Sequence, residues 1–434
     1  MARAIIANES GLLAILVASK WVGSVAFMNK SFTRNEAQYR HAKYFAEVVK
    51  TADDLYQEGH DRVTQGLSVL EREVRNIELG QAWAMSMIDL NAAAGRVCID
   101  FANNGPAILR LRLHPRERLR WFEKAAEAAR RLHDRCAESA ALGNIGLAYR
   151  DLSDNKTAID YYKSALLIAR EMGTRSLEGE WLANLGTAFR HLSEYKRAID
   201  YLKEALLIAI KAGDTKAEGA RLGGLGLAFS HLGEHKQAID YLSRALAIAR
   251  DVGDRKSECE WLGSIGNTYS DLEDYKSAID HIEQSLVIAR MIGNRFNEGV
   301  CLCNLGLAHC DTGDNERGIG FLQQALILAR EIGDRGGEGV RLGNLGNAYY
   351  NLKDYDRALP HFEQSLAIAK EVGDRFNEGV HLGNLGLVHK DLGDLATAER
   401  FLGHSVELLD KIESPYADIF RRVLDELGER LHEA

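Results

Sequence analysis

Proline is nearly absent, with four in 434 residues, where about 5% would be ordinary. That excludes proline-rich and collagen-like chains and suits long unbroken helices. Basic residues are not in excess: 54 Lys and Arg stand against 63 Asp and Glu, a net charge of −9. A general polyanion binder needs a basic field, so nucleic acid is not the expected partner. Six cysteines (Cys98, Cys136, Cys259, Cys301, Cys303 and Cys310) are too scattered for a disulfide framework. They read as reduced, mostly buried thiols of a cytoplasmic protein. Long hydrophobic runs are missing too. The apolar stretch Gly11–Met28 is split by Lys20 into runs of nine and eight residues, short of a membrane span. Arg3 ahead of Gly11–Ala18 gives that end a faint likeness to a secretory signal, which Glu9 weakens.

Glycine, by contrast, is plentiful and periodic. Gly146, Gly186, Gly226, Gly266, Gly306, Gly346 and Gly386 lie 40 residues apart, inside units typified by Leu342–Arg375 (LGNLGNAYYNLKDYDRALPHFEQSLAIAKEVGDR). Seven indel-free copies fill residues 137–416. A degenerate half copy over 117–136 precedes them, Arg118–Arg135 matching the second half of a unit. Such a run is a solenoid. Upstream lie an apolar segment, 1–31, and a non-periodic region, 32–116, read as helices over Arg34–Glu58, Asp61–Leu79 and Gln81–Asn103. Downstream, residues 417–434 read as a capping helix with Ile419, Val423, Leu424, Leu427 and Leu431 on one stripe.

Within a unit the apolar spacing predicts two helices. Leu342, Leu345, Ala348 and Tyr349 mark the first, over Glu338–Asn351; Ala358, Phe362, Leu366 and Ala369 mark the second, over Tyr355–Glu371. Asp354 is placed to cap the second helix, Gly373 to end it and Asp374 to cap the next. Pro360 should kink its helix. A glycine in the middle of a first helix costs about 1 kcal/mol against alanine. Its recurrence calls for a compensating close approach of the neighbouring helix. The glutamate eight residues before each glycine (Glu138 through Glu378) fits a first-turn carboxylate on a helix dipole, a structural role.

Leu345, Gly346, Tyr349, Ala358, Phe362 and Ser365 resemble the signature of tetratricopeptide repeats. The 40-residue period, in place of the usual 34, and the L-G-N-L-G string are similar to the subclass in kinesin light chains and Pins-type adaptors. The resemblance implies an all-α fold, a right-handed α-solenoid of helix hairpins, with first helices lining a concave face. It also implies a protein or peptide ligand held there. Arg40–Phe45 and Glu71–Trp83 resemble the helices preceding such arrays in bacterial signal-transduction ATPases of the NB-ARC type, which implies a sensor or regulatory arm.

On that face, two residues before the glycine, stand Asn144, Asn184, Asn304, Asn344 and Asn384, with Asn267 and Asn347 one turn away. An amide both donates and accepts, so a row of them can satisfy an extended peptide backbone of any sequence. Small neighbours at Gly143, Ala183, Gly223, Gly263, Cys303, Gly343 and Gly383 would leave room for it. The same asparagines also suit struts between helices. Trp181 and Trp261 read either as aromatic anchors or as packing between repeats, and Arg190, Arg221 and Arg341 as grips for carboxylates. Acids and bases alternate at the variable positions, so the partner's charge stays open, as does self-association.

Enzymatic chemistry is not legible. No phosphate loop occurs, and no nucleophile–base–orienter set. The string His231–Glu234–His235 matches a zinc pattern only across a turn, and Cys301, Cys303, His309 and Cys310 lack ligand spacing. No cofactor or metal is expected. The leading expectation is a non-enzymatic interaction scaffold binding an extended peptide or partner segment. The alternatives are a regulatory arm acting in trans on an NB-ARC-type ATPase system and a cryptic metal-dependent enzyme around Cys303 or His231.

Overall fold

The computed structural model describes residues 33–58 and 61–433, so the apolar segment 1–31 lies outside the described residues. The chain divides after Gly213 into two compact units. The N-terminal unit opens with α1 (Arg34–Glu58), α2 (Asp61–Met87), α3 (Ala92–Asn103), α4 (Pro106–Arg112) and α5 (Pro115–Arg131). Two hairpins follow, α6 (Arg135–Asp151) with α7 (Asn155–Glu171), and α8 (Arg175–His191) with α9 (Tyr195–Ala212). The C-terminal unit holds five more. They pair α10 (Thr215–His231) with α11 (His235–Asp251), α12 (Arg255–Asp271) with α13 (Tyr275–Met291), and α14 (Arg295–Asp311) with α15 (Asn315–Glu331). The last two pair α16 (Arg335–Asn351) with α17 (Tyr355–Val372), and α18 (Arg375–Asp391) with α19 (Leu395–Lys411). Helix α20 (Tyr416–Glu433) closes the unit.

One expected break was misplaced. Gly80 does not end a helix; α2 runs through it to Met87. A Cβ there would lie 3.1 Å from Ala42 Cα and 3.0 Å from Phe101 Cζ, so the glycine marks a close helix crossing. The real boundary is Asn91, whose Oδ1 accepts from the Ala93 N–H at 2.8 Å, an N-cap. In the capping stripe Val423, Leu424 and Leu427 pack inward as expected, and Phe420 takes the place expected of Ile419. Phe420, 4% exposed, and Leu427 are buried, whereas Ile419 is 52% exposed. Phe420 fills the notch over Gly383, whose Cβ would sit 2.3 Å from its ring. Helix α17 runs unbroken through Pro360.

Local rules explain the hairpins. Asp354 Oδ1 accepts from Arg357 N–H (3.2 Å) and Asp374 Oδ1 from Asn377 N–H (3.0 Å). Gly373 ends α17 in the left-handed region, φ 76°, which glycine adopts without penalty. The mid-helix glycines mark the close approach: at Gly306 a Cβ would meet Leu322 Cγ at 2.6 Å and the Gly318 carbonyl oxygen at 3.0 Å. Three residues on, a ring pair recurs in every repeat, from Tyr149–Tyr161 at 5.4 Å to His389–Phe401 at 5.6 Å. His309 belongs to this series, packed on Phe321.

The repeated glutamate does more than meet a dipole. Glu258 Oε1 accepts from Arg250 Nε (2.9 Å) at the end of α11, and its Oε2 from Arg255 Nη1 (2.6 Å) in α12. The same clamp joins Arg170 and Arg175 to Glu178, Arg290 and Arg295 to Glu298, and Arg330 and Arg335 to Glu338. It ties the end of one hairpin to the start of the next. Burial pushes the carboxyls of Glu178, Glu258 and Glu338 up, but the arginine hydrogen bonds outweigh it and hold them below the usual value. Burial also pushes His381 down to about 4, leaving it neutral at physiological pH.

Groups with depressed folded pKa values stabilise above their unfolded pKa and lose that contribution as pH falls. His381 therefore begins to withdraw stability below about pH 6.5, and the clamp glutamates below about 4.3. The melting temperature of the full chain should fall in that order on acidification. Glu258→Gln should shrink the lower step and leave the upper one alone. A melting temperature flat down to pH 4 would contradict this.

Candidate functional site

Position in the repeat decides which predicted groove residues are reachable. Trp181 is 1% and Trp261 6% exposed, so neither can anchor a ligand. Each ring lies over the small residue of the preceding repeat: a Cβ on Gly143 would meet Trp181 Cη2 at 2.2 Å, and one on Gly223 Trp261 Cη2 at 2.3 Å. His381 fills the notch at Gly343 in the same way. The space beside the asparagines, expected to admit a foreign backbone, is thus largely taken by the next repeat's own side chain. Arg341 is 5% exposed and turned towards Asp334, 3.6 Å away, so it is no carboxylate grip. Arg190 and Arg221 are half-buried and engaged with other groups.

The asparagines divide. Asn144 is 5% exposed and its Nδ2 donates to Asn103 Oδ1 at 3.4 Å, a strut. Asn184 accepts from Arg150 Nη1 at 3.3 Å. In the C-terminal unit the row is half-open. Asn304 Nδ2 donates to Asn267 Oδ1 (2.8 Å), Asn384 Nδ2 to Asn347 Oδ1 (3.1 Å), and Asn344 Nδ2 meets Cys303 Sγ at 3.3 Å. Asn267 and Asn347 are exposed. Each bond uses one of an amide's two N–H groups or one of its carbonyl lone pairs, so capacity remains. Neither the Asn347 amide nitrogen nor the Asn384 carbonyl has a partner among the described residues.

Asn344, Asn347 and Asn384 line a cavity of about 370 Å³, walled further by Leu307, Phe362, Leu387, Tyr350, Asn351, Cys310 and Asp311. Its size falls within the range of ligand pockets. It lies along α14, α16 and α18. Leu307 and Leu387 were missed from the sequence, although they occupy the repeat position held elsewhere by Asn267 and Asn347. Among the described residues no group of three or more His, Cys, Asp or Glu could hold a metal, and all six cysteines are free. No described helix is long and apolar enough to cross a membrane.

Helix hairpins stacked on one another within each unit define an all-α solenoid, the architecture of a protein-interaction or regulatory scaffold. The tetratricopeptide repeat pattern matches in six overlapping windows from 138–211 to 340–411, well over half of the sequence, and the chain belongs to that family. No curated protein sequence matches it. Among solved structures it is similar to a signal-transduction ATPase with numerous domains, carrying a tetratricopeptide repeat sensor, from Pyrococcus horikoshii. That match has 16% identity and a TM-score of 0.55 over 92% of this chain and 68% of the other. A Rap protein complexed with Competence and Sporulation Factor matches at 17% identity and TM-score 0.52, over 77% of this chain and 99% of that one. A putative kinesin light chain of Podospora anserina with nearly identical repeats matches at 13% and 0.40, over 46% and 99%.

Proposed function

We propose that the chain is a non-enzymatic scaffold whose groove along α14, α16 and α18 holds an extended segment of a partner protein. The open amides of Asn347 and Asn384 in the cavity lining carry this reading. They can satisfy the N–H and C=O groups of a bound backbone, which an extended segment otherwise leaves to water. Three first helices, at about 10 Å each, span about ten extended residues at ~3.3 Å apiece. The similar Rap protein, solved in complex with Competence and Sporulation Factor, supports a ligand-holding array.

A second reading, a regulatory arm acting in trans in a signal-transduction ATPase system, draws on the match over 92% of this chain. That share exceeds what the repeats alone supply, so it takes in part of the N-terminal helices.

The test uses a displayed library of random peptides of about ten residues, selected on the full chain. Retained peptides should lose at least tenfold in affinity on Asn347→Ala/Asn384→Ala, since two hydrogen bonds of about 1 kcal/mol each are removed. Equal affinity for the variant, with its melting curve unchanged, would reduce the asparagines to struts.

A further inference from the structure

We propose that this groove contains a pocket for one basic side chain, lysine or arginine, of the bound segment, with Asp311 as its counter-charge. The inference rests on the groove reading above and names the chemistry of its occupant. Among the cavity's lining residues, Asp311 is the one carboxylate, and no lysine, arginine or histidine stands with it. The walls of Leu307, Phe362 and Leu387 suit an aliphatic stem, and the carboxylate suits a cationic tip.

The repeats provide their own comparison. Aspartates recur at this position, five residues after the mid-helix glycine, and two of the other three accept hydrogen bonds inside the chain. Asp151 accepts two hydrogen bonds from Arg110 (3.0 and 2.7 Å) and one from Arg118 (2.6 Å). Asp391 accepts from the hydroxyls of Tyr350 (2.7 Å) and Tyr355 (3.4 Å). Asp271 accepts none but has an imidazole nitrogen, His235 Nδ1, 3.9 Å away. Asp311 has no hydrogen bond or ion pair among the described residues. Ala278 stands in its repeat where Arg118 stands in the first, so the internal cation is missing. Partial burial pushes the Asp311 carboxyl up, as expected of an acid without a counter-ion.

Peptides are selected from the same library on the full chain and on Asp311→Asn, an exposed, near-isosteric change that should leave the melting curve in place. Wild-type selection should enrich lysine or arginine at one position, and the variant should lose that enrichment while still retaining peptides. In a selected peptide, replacing the basic residue by norleucine should weaken wild-type binding about tenfold and leave binding to Asp311→Asn unchanged. Peptides that bind without a basic preference, or that lose equally on both proteins, overturn this pocket and leave the groove standing. If no peptide is retained, or retention ignores the Asn347→Ala/Asn384→Ala change, the groove reading falls and the pocket with it.

Discussion

Trp181→Ala should lower the stability of the N-terminal unit by about 3–5 kcal/mol, the range for emptying a buried large aromatic site. The indole is sealed over Gly143, stacks 6.4 Å from Tyr162 and donates from Nε1 to Ser139 Oγ at 3.0 Å. That serine donates in turn to the Ala165 carbonyl at 2.8 Å, so the truncation also leaves a buried hydroxyl one bond short. Gly143, the wall beneath the ring, offers no side chain to fill the gap. Urea unfolding followed by far-UV circular dichroism should show an early transition for the variant. A midpoint equal to wild type would mean that the ring is not the seal between these two repeats.

Gly306→Val in the C-terminal unit should cost about 3 kcal/mol, at the upper end for overpacking. Leu322 could rotate away from a new side chain, but the Gly318 carbonyl, 3.0 Å from the first added carbon, belongs to the backbone of α15. Helices α14 and α15 would have to part along their length. The adjacent Leu307→Val, a cavity-lining change that adds no atoms at the crossing, serves as the control and should leave the stability within about 0.5 kcal/mol of wild type. A Gly306→Val protein as stable as wild type would show that the glycine is tolerated rather than required.

Much of the fold was legible because a 40-residue period writes the same hairpin repeatedly. Asp354, Gly373 and Asp374 are local signals, and they cap and end helices as their residue types dictate. What the period hides is the direction in which a repeated residue points. Gly143 and Gly343 read as room for a ligand, yet the room is filled by Trp181 and His381 from 38 residues on. Arg341 was misread, and Trp181 and Trp261, open between anchor and packing, lie buried between repeats, for the same reason: a residue that varies between copies can vary because its seat does. The clamp arginines were missed although the pattern R-x-x-G-D-R-x-x-E is plain at Arg250–Glu258 and Arg330–Glu338. Glu218 breaks it, with Ile210 and Thr215 at the arginine positions.

The groove itself was half legible. Asparagine spacing located the row, but only the structure separates Asn144, buried on Asn103, from Asn347 and Asn384 at an open cavity. Asp311 stood out from neither composition nor spacing, because its distinction is the missing partner.

The most direct test is a crystal structure of the full chain with a peptide selected on it. The account predicts an extended peptide crossing α14, α16 and α18, its main-chain groups within about 3.2 Å of the Asn347 and Asn384 amides. A peptide seated on the second-helix face, with those two asparagines still bonded only to each other, would contradict it.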